Sequence, residues 1–231
     1  TNRPALQSLA ALDGTNGFRL DGAGSFSGVG QALAGADVNG DGRSDLFVGS
    51  ANLSSVFVLY GSSNRLPVRS TSALDGTNGF VLTSADSGGR FGALVARGGR
   101  LDADGFEELL VGAPNEPQVG VAGAGRLYAL MGAAHFAATT SVAHLNGTNG
   151  FHFAGQQGNA ERGNAAASLG DLNGDGFDEL CVSEWLLDAG IPALTNAGAL
   201  YPVSPVGIAG KVLHRPVFST ALLTSGAPEL A

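Results

Sequence analysis

Apolar positions along this chain come in short runs rather than long stripes. Leu46-Phe47-Val48, Leu109-Leu110-Val111 and Leu180-Cys181-Val182 each follow an acid, and Val56-Phe57-Val58-Leu59-Tyr60 ends at Gly61. Short apolar runs bounded by turn residues read as strands. Ala32-Leu33-Ala34-Gly35-Ala36 and Gly198-Ala199-Leu200-Tyr201 add further strand-like segments, and Asn-Gly pairs mark turns between them. No long segment repeats its apolar positions at the helical period, so the pattern predicts an all-β chain.

The pattern also repeats. Leu12-Asp13-Gly14-Thr15-Asn16-Gly17-Phe18 returns at residues 74–80 and again at 145–151, where Asn146 replaces the aspartate. An acidic loop follows each copy: Asp37 to Asp45, Arg100 to Glu108, and Asp171 to Glu179. An apolar run comes next, then a strand carrying Tyr60, Tyr128 or Tyr201. Each unit therefore predicts about four short strands: the Gly-Phe segment, one entering the acidic loop, one leaving it, and the tyrosine strand. Tandem four-stranded units of this length read as β-propeller blades. A β-sandwich with accidental self-similarity is the competing reading, and near-identity in three places weighs against it.

The expected organisation is one array over residues 1–231. Its units span about 5–66, 67–135 and 136–213, and residues 214–231 open a fourth unit or form a tail. Closed propellers take about four to eight blades. Three units make an incomplete ring unless other chains, or other copies of this one, complete it.

Composition narrows the partners. The 231 residues include 37 glycines with no triplet period, and the hydrophobic share of 44% is enough for a packed core. Charged residues make up 14% and the net charge is −8, which argues against nucleic acid and suits cations or neutral ligands. Cys181 is the single cysteine, so no disulfide forms within the chain. No apolar run approaches the roughly 18 residues of a membrane span. Thr1-Asn2-Arg3-Pro4 does not read as a signal peptide, as expected of a mature or excised chain.

The acidic loops carry the most specific chemistry. In Asp37-Val38-Asn39-Gly40-Asp41-Gly42-Arg43-Ser44-Asp45, oxygen side chains stand at positions 1, 3, 5 and 9. Gly42 permits a sharp turn, which lets the Arg43 carbonyl point inward. Ca²⁺ takes six to eight hard oxygen ligands, and this set with water meets that demand better than the tight octahedron of Mg²⁺. The third loop keeps every position: Asp171, Asn173 and Asp175, the Phe177 carbonyl, and Glu179 closing. An EF-hand needs flanking helices and a glutamate at position 12. Here that position is Val48 or Val182 and the flanks are β-like, so these are β-hairpin metal loops. The middle loop begins with Arg100, a cation that cannot ligate Ca²⁺, and is expected to be metal-free. Its guanidinium either takes the ion's place beside Asp102, Asp104 or Glu108, or points to solvent.

No catalytic constellation is legible. His135, His144, His152 and His214 show no metal-ligand or triad spacing. Trp185 with Glu184 and Asp188 could stack on and hydrogen-bond a sugar, against the plainer reading of a tryptophan packed on a blade. The sequons at Asn52 and Asn146 matter only on a eukaryotic secretory route, and Asn146 reads as turn chemistry.

In these loops and their flanks the sequence resembles the FG-GAP repeats of the integrin α propeller and their bacterial relatives. Those repeats run Phe-Gly, Ca²⁺ loop, Gly-Ala-Pro. The middle unit has Phe91-Gly92 and Gly112-Ala113-Pro114. The first has Val29-Gly30 and Gly49-Ser50-Ala51, and the third, with Arg162-Gly163 and Ser183-Glu184-Trp185, departs most. The resemblance covers residues 5–205 or so. It implies a secreted or cell-surface protein whose Ca²⁺ ions rigidify hairpin loops on one side of the propeller, and whose variable loops meet protein or glycan partners. The expected function is a non-catalytic, Ca²⁺-stabilised extracellular binding or adhesion module. A structural subunit of a surface layer, fibre or envelope complex is the first alternative, and an accessory domain of a secreted hydrolase the second.

Overall fold

A computed structural model describes residues 8–63, 66–188 and 194–204. Within them the strands are β1 (Arg19–Asp21), β2 (Ala32–Ala36), β3 (Asp45–Ser50), β4 (Ser55–Leu59), β5 (Val68–Ser70), β6 (Gly79–Thr83), β7 (Leu94–Gly99), β8 (Glu108–Ala113), β9 (Arg126–Leu130), β10 (Thr139–Ser141), β11 (Gly150–Ala154), β12 (Ala166–Gly170), β13 (Glu179–Glu184) and β14 (Ala199–Val203). The helical content is four short 3-10 turns. The chain is all-β, as its apolar pattern predicts. His214 and the segment 214–231 lie outside the described residues.

The strands form blade-like sheets in sequence order. The first sheet is β2, β3, β4 and β6, with β10 added in parallel at its outer edge. The second is β7, β8, β9 and β11, and the third is β12, β13 and β14. A separate parallel pair joins β1 to β5. Inner strands stand side by side, β2 against β7 and β7 against β12. The described residues thus form an incomplete propeller rather than a closed ring.

Sheet and sequence repeat are offset by one strand. The Gly-Phe strand β6 belongs to the repeat at 67–135, yet its residues 79–83 pair antiparallel with β4 of the first sheet. β11 likewise pairs with β9 of the second sheet. Each unit therefore completes its predecessor, which stitches adjacent blades together through the chain itself. The repeated turn before each Gly-Phe strand explains its sequence. Asp13 Oδ1 accepts from the Thr15 and Asn16 N–H groups, and Asp75 does the same for Thr77 and Asn78. Asn146 Oδ1 repeats this for Thr148 and Asn149, so its place is one of turn chemistry.

The continuous apolar runs are explained by burial on two faces. Successive residues of a strand point to opposite sides of the sheet. In β8, Leu109 and Val111 pack toward the first sheet with Phe47, Val56, Val58, Phe80 and Phe91. Leu110, between them, packs toward the third with Leu127, Phe151, Leu180 and Val182. Fully burying one such side chain contributes about 1.5–3 kcal/mol.

The departures in the third unit compensate one another. Phe91 is fully buried and meets the Tyr128 ring edge-on, with centroids 5.5 Å apart. At the matching place Arg162 lies 5.3 Å over the Tyr201 ring. Its guanidinium pairs with Glu184, which stands where the middle unit has Ala113, at 2.9–3.0 Å through two nitrogens. Tyr201 donates to the same carboxylate at 2.8 Å.

Candidate metal centres

Each acidic loop joins an inner strand to the second strand of its sheet: β2 to β3, β7 to β8, and β12 to β13. The three loops therefore emerge at the same end. In the first, Asp37 closes a ring by accepting from Asp41 N–H at 3.1 Å and from Gly42 N–H at 2.8 Å. Asn39 Oδ1 also accepts from Asp41 N–H, and Asp41 Oδ1 from Arg43 N–H. Gly42 has φ +81°, the left-handed turn its position requires.

Asp45 closes the loop from below. It is buried, and accepts from Val38 N–H at 3.0 Å and Gly61 N–H at 2.8 Å. Burial pushes its carboxyl up to about 6, the two N–H donors oppose the rise, and the Asp37 and Asp41 charges add to it. A carboxylate held in this way, beside two more acids, fits a cation as its missing counter-charge.

The third loop repeats the arrangement. Asp171 accepts from Gly174, Asp175 and Gly176 N–H groups at 2.7, 3.1 and 2.9 Å. These bonds, the one from Gly176 foremost, hold its carboxyl below the usual range. Asp175 accepts from Phe177 N–H, and the buried Glu179 accepts from Leu172 N–H. The Asn173 amide nitrogen bridges Asp175 and Glu179, at 3.0 and 2.8 Å. It thereby occupies the place between two acids that a cation would take. The side chains of each loop are thus held by the backbone of its own hairpin, but their carboxylates do not converge on one point within 4.8 Å as those of the middle loop do.

In the middle loop Arg100 is exposed, and its guanidinium forms no ion pair with Asp102, Asp104 or Glu108. Of the two arrangements expected for it, the one in solution is found. The three acids converge without it, each offering an oxygen within 4.8 Å of the others.

Two residues that the sequence reading passed over tie the loops together. Glu107 Oε2 accepts from Asp37 N–H at 3.0 Å, while Glu107 N–H donates to the Asp37 carbonyl at 3.2 Å. Asp178 does the same to Arg100, at 3.2 and 2.9 Å. An acid at position 8 thus latches onto position 1 of the preceding loop. The recurrence of an acid there in the second and third loops, against Ser44 in the first, was the available signal.

The Trp185 cluster does not assemble as a sugar platform. Glu184 is buried and committed to Arg162. Trp185 is half-exposed, and its indole N–H donates to Glu161 at 2.8 Å. Asp188 accepts from Asn196 N–H.

The FG-GAP repeat model matches residues 29–59 and 98–130. The first of these contains the Asp37 loop and the second the Arg100 loop. Integrin alpha-4 of Xenopus laevis is 27% identical over 177 residues, covering 73% of this chain and 15% of that protein. Integrin alpha-IIb of Homo sapiens is 36% identical over 108 residues, covering 42% of this chain and 10% of that protein. The chain thus spans a small part of the length of the curated relatives it matches. No described helix is long and apolar enough to cross a membrane. Repeat model, relatives and stacked four-stranded sheets agree that this chain carries FG-GAP repeats and is similar to integrin alpha chains.

Proposed function

We propose that this chain is a Ca²⁺-stabilised extracellular module for binding or adhesion, without catalytic activity, which presents its variable loops to a protein or glycan. One observation carries the reading. Two hairpin loops at the same end of the molecule each gather an aspartate ring, an amide and a buried closing acid. Asp37, Asn39, Asp41 and Asp45 with the Arg43 carbonyl would hold one Ca²⁺. Asp171, Asn173, Asp175 and Glu179 with the Phe177 carbonyl would hold the other. The bound ion supplies the positive charge that the buried closing acids lack, and rigidifies the loops that flank the partner surface.

The likeness to integrin alpha chains supports a place outside the cell or on its surface. Other copies or subunits that continue the stacked sheets fit the same reading as partners. Melting the chain with Ca²⁺ and with a chelator tests the ion. At one hundred times its dissociation constant a site adds about 2.7 kcal/mol, so the chelated protein unfolds at a clearly lower temperature. An unchanged melt, or no loss of bound Ca²⁺ after Asp37→Asn and Asp171→Asn, overturns the assignment. Glycan arrays and pull-downs test the binding role, and ordered Ca²⁺-dependent polymers would instead favour the structural subunit.

A further inference from the structure

Between the first and second sheets lies a cleft of about 310 Å³, at the small end of the range of about 300–1,000 Å³ for ligand pockets. The β6–β7 connection brings Asp86 to it, the β8–β9 connection Glu116, β9 both Arg126 and Tyr128, and β11 His152. The short turn after β10 supplies an apolar wall at Leu145. Arg126 and Tyr128 stand two residues apart and so share a face of their strand. His152 pairs with Tyr128 across the sheet, their rings 5.6 Å apart. The first sheet has Ser55, Phe57 and Val81 at those three places, so the repeat does not dictate this chemistry.

The polar groups of the cleft end with donors left over. Tyr128 is buried and donates to both oxygens of the buried Glu116, at 2.7 and 2.8 Å. Arg126 pairs with Glu116 at 2.9 Å through one terminal nitrogen and donates to Gln118 Oε1 at 2.9 Å through the other. Its Nε and the Gln118 amide nitrogen are buried and have no acceptor. A buried donor without an acceptor is costly, so the cluster is set to receive an oxygen from a ligand. Charge narrows what that ligand is. Burial pushes the Glu116 carboxyl up, the Tyr128 bond and the Arg126 charge oppose this, and the Asp86 charge adds to it. Two acids against one arginine oppose an anion, and unsatisfied donors oppose a cation. A sugar hydroxyl both accepts and donates, and the C–H face of a sugar fits against Leu145 and the His152 ring. We propose that this cleft is the subsite in which the chain holds a neutral sugar residue of a glycan, with Arg126 donating to one hydroxyl and Asp86 accepting from another. The inference rests on the glycan arm of the proposed function and names its site.

The test uses the full chain with Ca²⁺, titrated by saturation-transfer NMR with methyl glycosides of glucose, galactose, mannose and N-acetylglucosamine. Glucuronic and sialic acid serve as charged probes. At least one neutral glycoside is expected to bind, and neither acid. Ala143→Trp fills the cleft from an exposed position and is expected to abolish binding with an unchanged melt. Arg126→Lys keeps the charge facing Glu116 but removes the Nε donor, and is expected to weaken binding about tenfold or more. Far-UV circular dichroism checks folding in each variant. No glycoside bound, while the melt still responds to Ca²⁺, overturns the inference and leaves the Ca²⁺-stabilised module standing. Binding indifferent to Ala143→Trp puts the sugar elsewhere and also overturns the inference, as does preferential binding of either acid. A neutral sugar lost on Ala143→Trp, from a chain whose melt ignores Ca²⁺, supports the inference and overturns the Ca²⁺ reading instead.

Discussion

Arg162 and Glu184 show how far a repeat can drift while keeping its shape. Each replaces an apolar residue of the middle unit, and their side chains are 6% and 2% exposed. Removing one partner of such a pair strands a buried charge, at a cost of about 3–5 kcal/mol. Glu184→Ala is therefore expected to lower stability by that amount in urea unfolding. The double change Arg162→Phe with Glu184→Ala restores the middle unit's pair and is expected to recover most of the loss. A double variant no better than the single would show that the two sites do not compensate. The sequence exposed both departures, but the compensation was hidden because the partners stand 22 residues apart. The residues proposed to hold Ca²⁺ could be picked out for the opposite reason. In each loop they lie within nine consecutive residues, so spacing alone suggests the chemistry.

At the scale of elements, strand identity was legible and sheet membership was not. Apolar runs leaving each loop mark β3, β8 and β13, and in β8 neighbouring sheets cover both faces. Nothing local says that β6 leaves its own repeat to pair with β4. That is settled by the register Val58↔Phe80 and by the core it completes. The short parallel strands β5 and β10 went unread because three residues carry too little pattern. The loop latches escaped for the same reason as the ion pair: Glu107 reaches back 70 positions to Asp37, and Asp178 reaches 78 to Arg100. Their function follows from what they hold. Asp37 is the first of the residues proposed to hold Ca²⁺ in its loop, and a lost hydrogen bond to its backbone costs about 0.5–1.5 kcal/mol. Glu107→Ala is expected to weaken Ca²⁺ at the first loop by about two- to tenfold, read by calorimetry in a chain carrying Asp171→Asn. Glu107→Gln keeps an acceptor oxygen and is expected to retain most of the affinity. Equal affinity in the alanine and parent chains would mean that the latch does not shape the site.

The whole molecule depends on how closely its sheets approach. A Cβ on Gly49 would run into the carbonyl oxygen of Gly92 on the next sheet, and one on Gly112 into that of Gly163. The same Gly92 donates its N–H to the Gly112 carbonyl at 3.0 Å within its own sheet. The first glycine of Gly-Ala-Pro and the glycine of Phe-Gly are thus two halves of one blade-to-blade contact. Ser183 holds the matching place in the third sheet, where its hydroxyl exchanges bonds with Ala165 N–H and carbonyl at 3.1 and 2.8 Å. A following blade seated at the spacing of the first two junctions would meet that side chain. Any partner that continues the array therefore approaches this face differently, which bears directly on how the ring is completed. Placing the same residue at both positions isolates the effect. Gly112→Ala overpacks a backbone contact and is expected to cost about 2–3 kcal/mol. Ser183→Ala loses only its hydroxyl bonds, about 1 kcal/mol. The comparison is made by denaturant unfolding of the full chain with Ca²⁺ present. If Gly112→Ala costs no more than Ser183→Ala, a Cβ at this junction is tolerated, and completion of the third sheet by an ordinary blade regains its place.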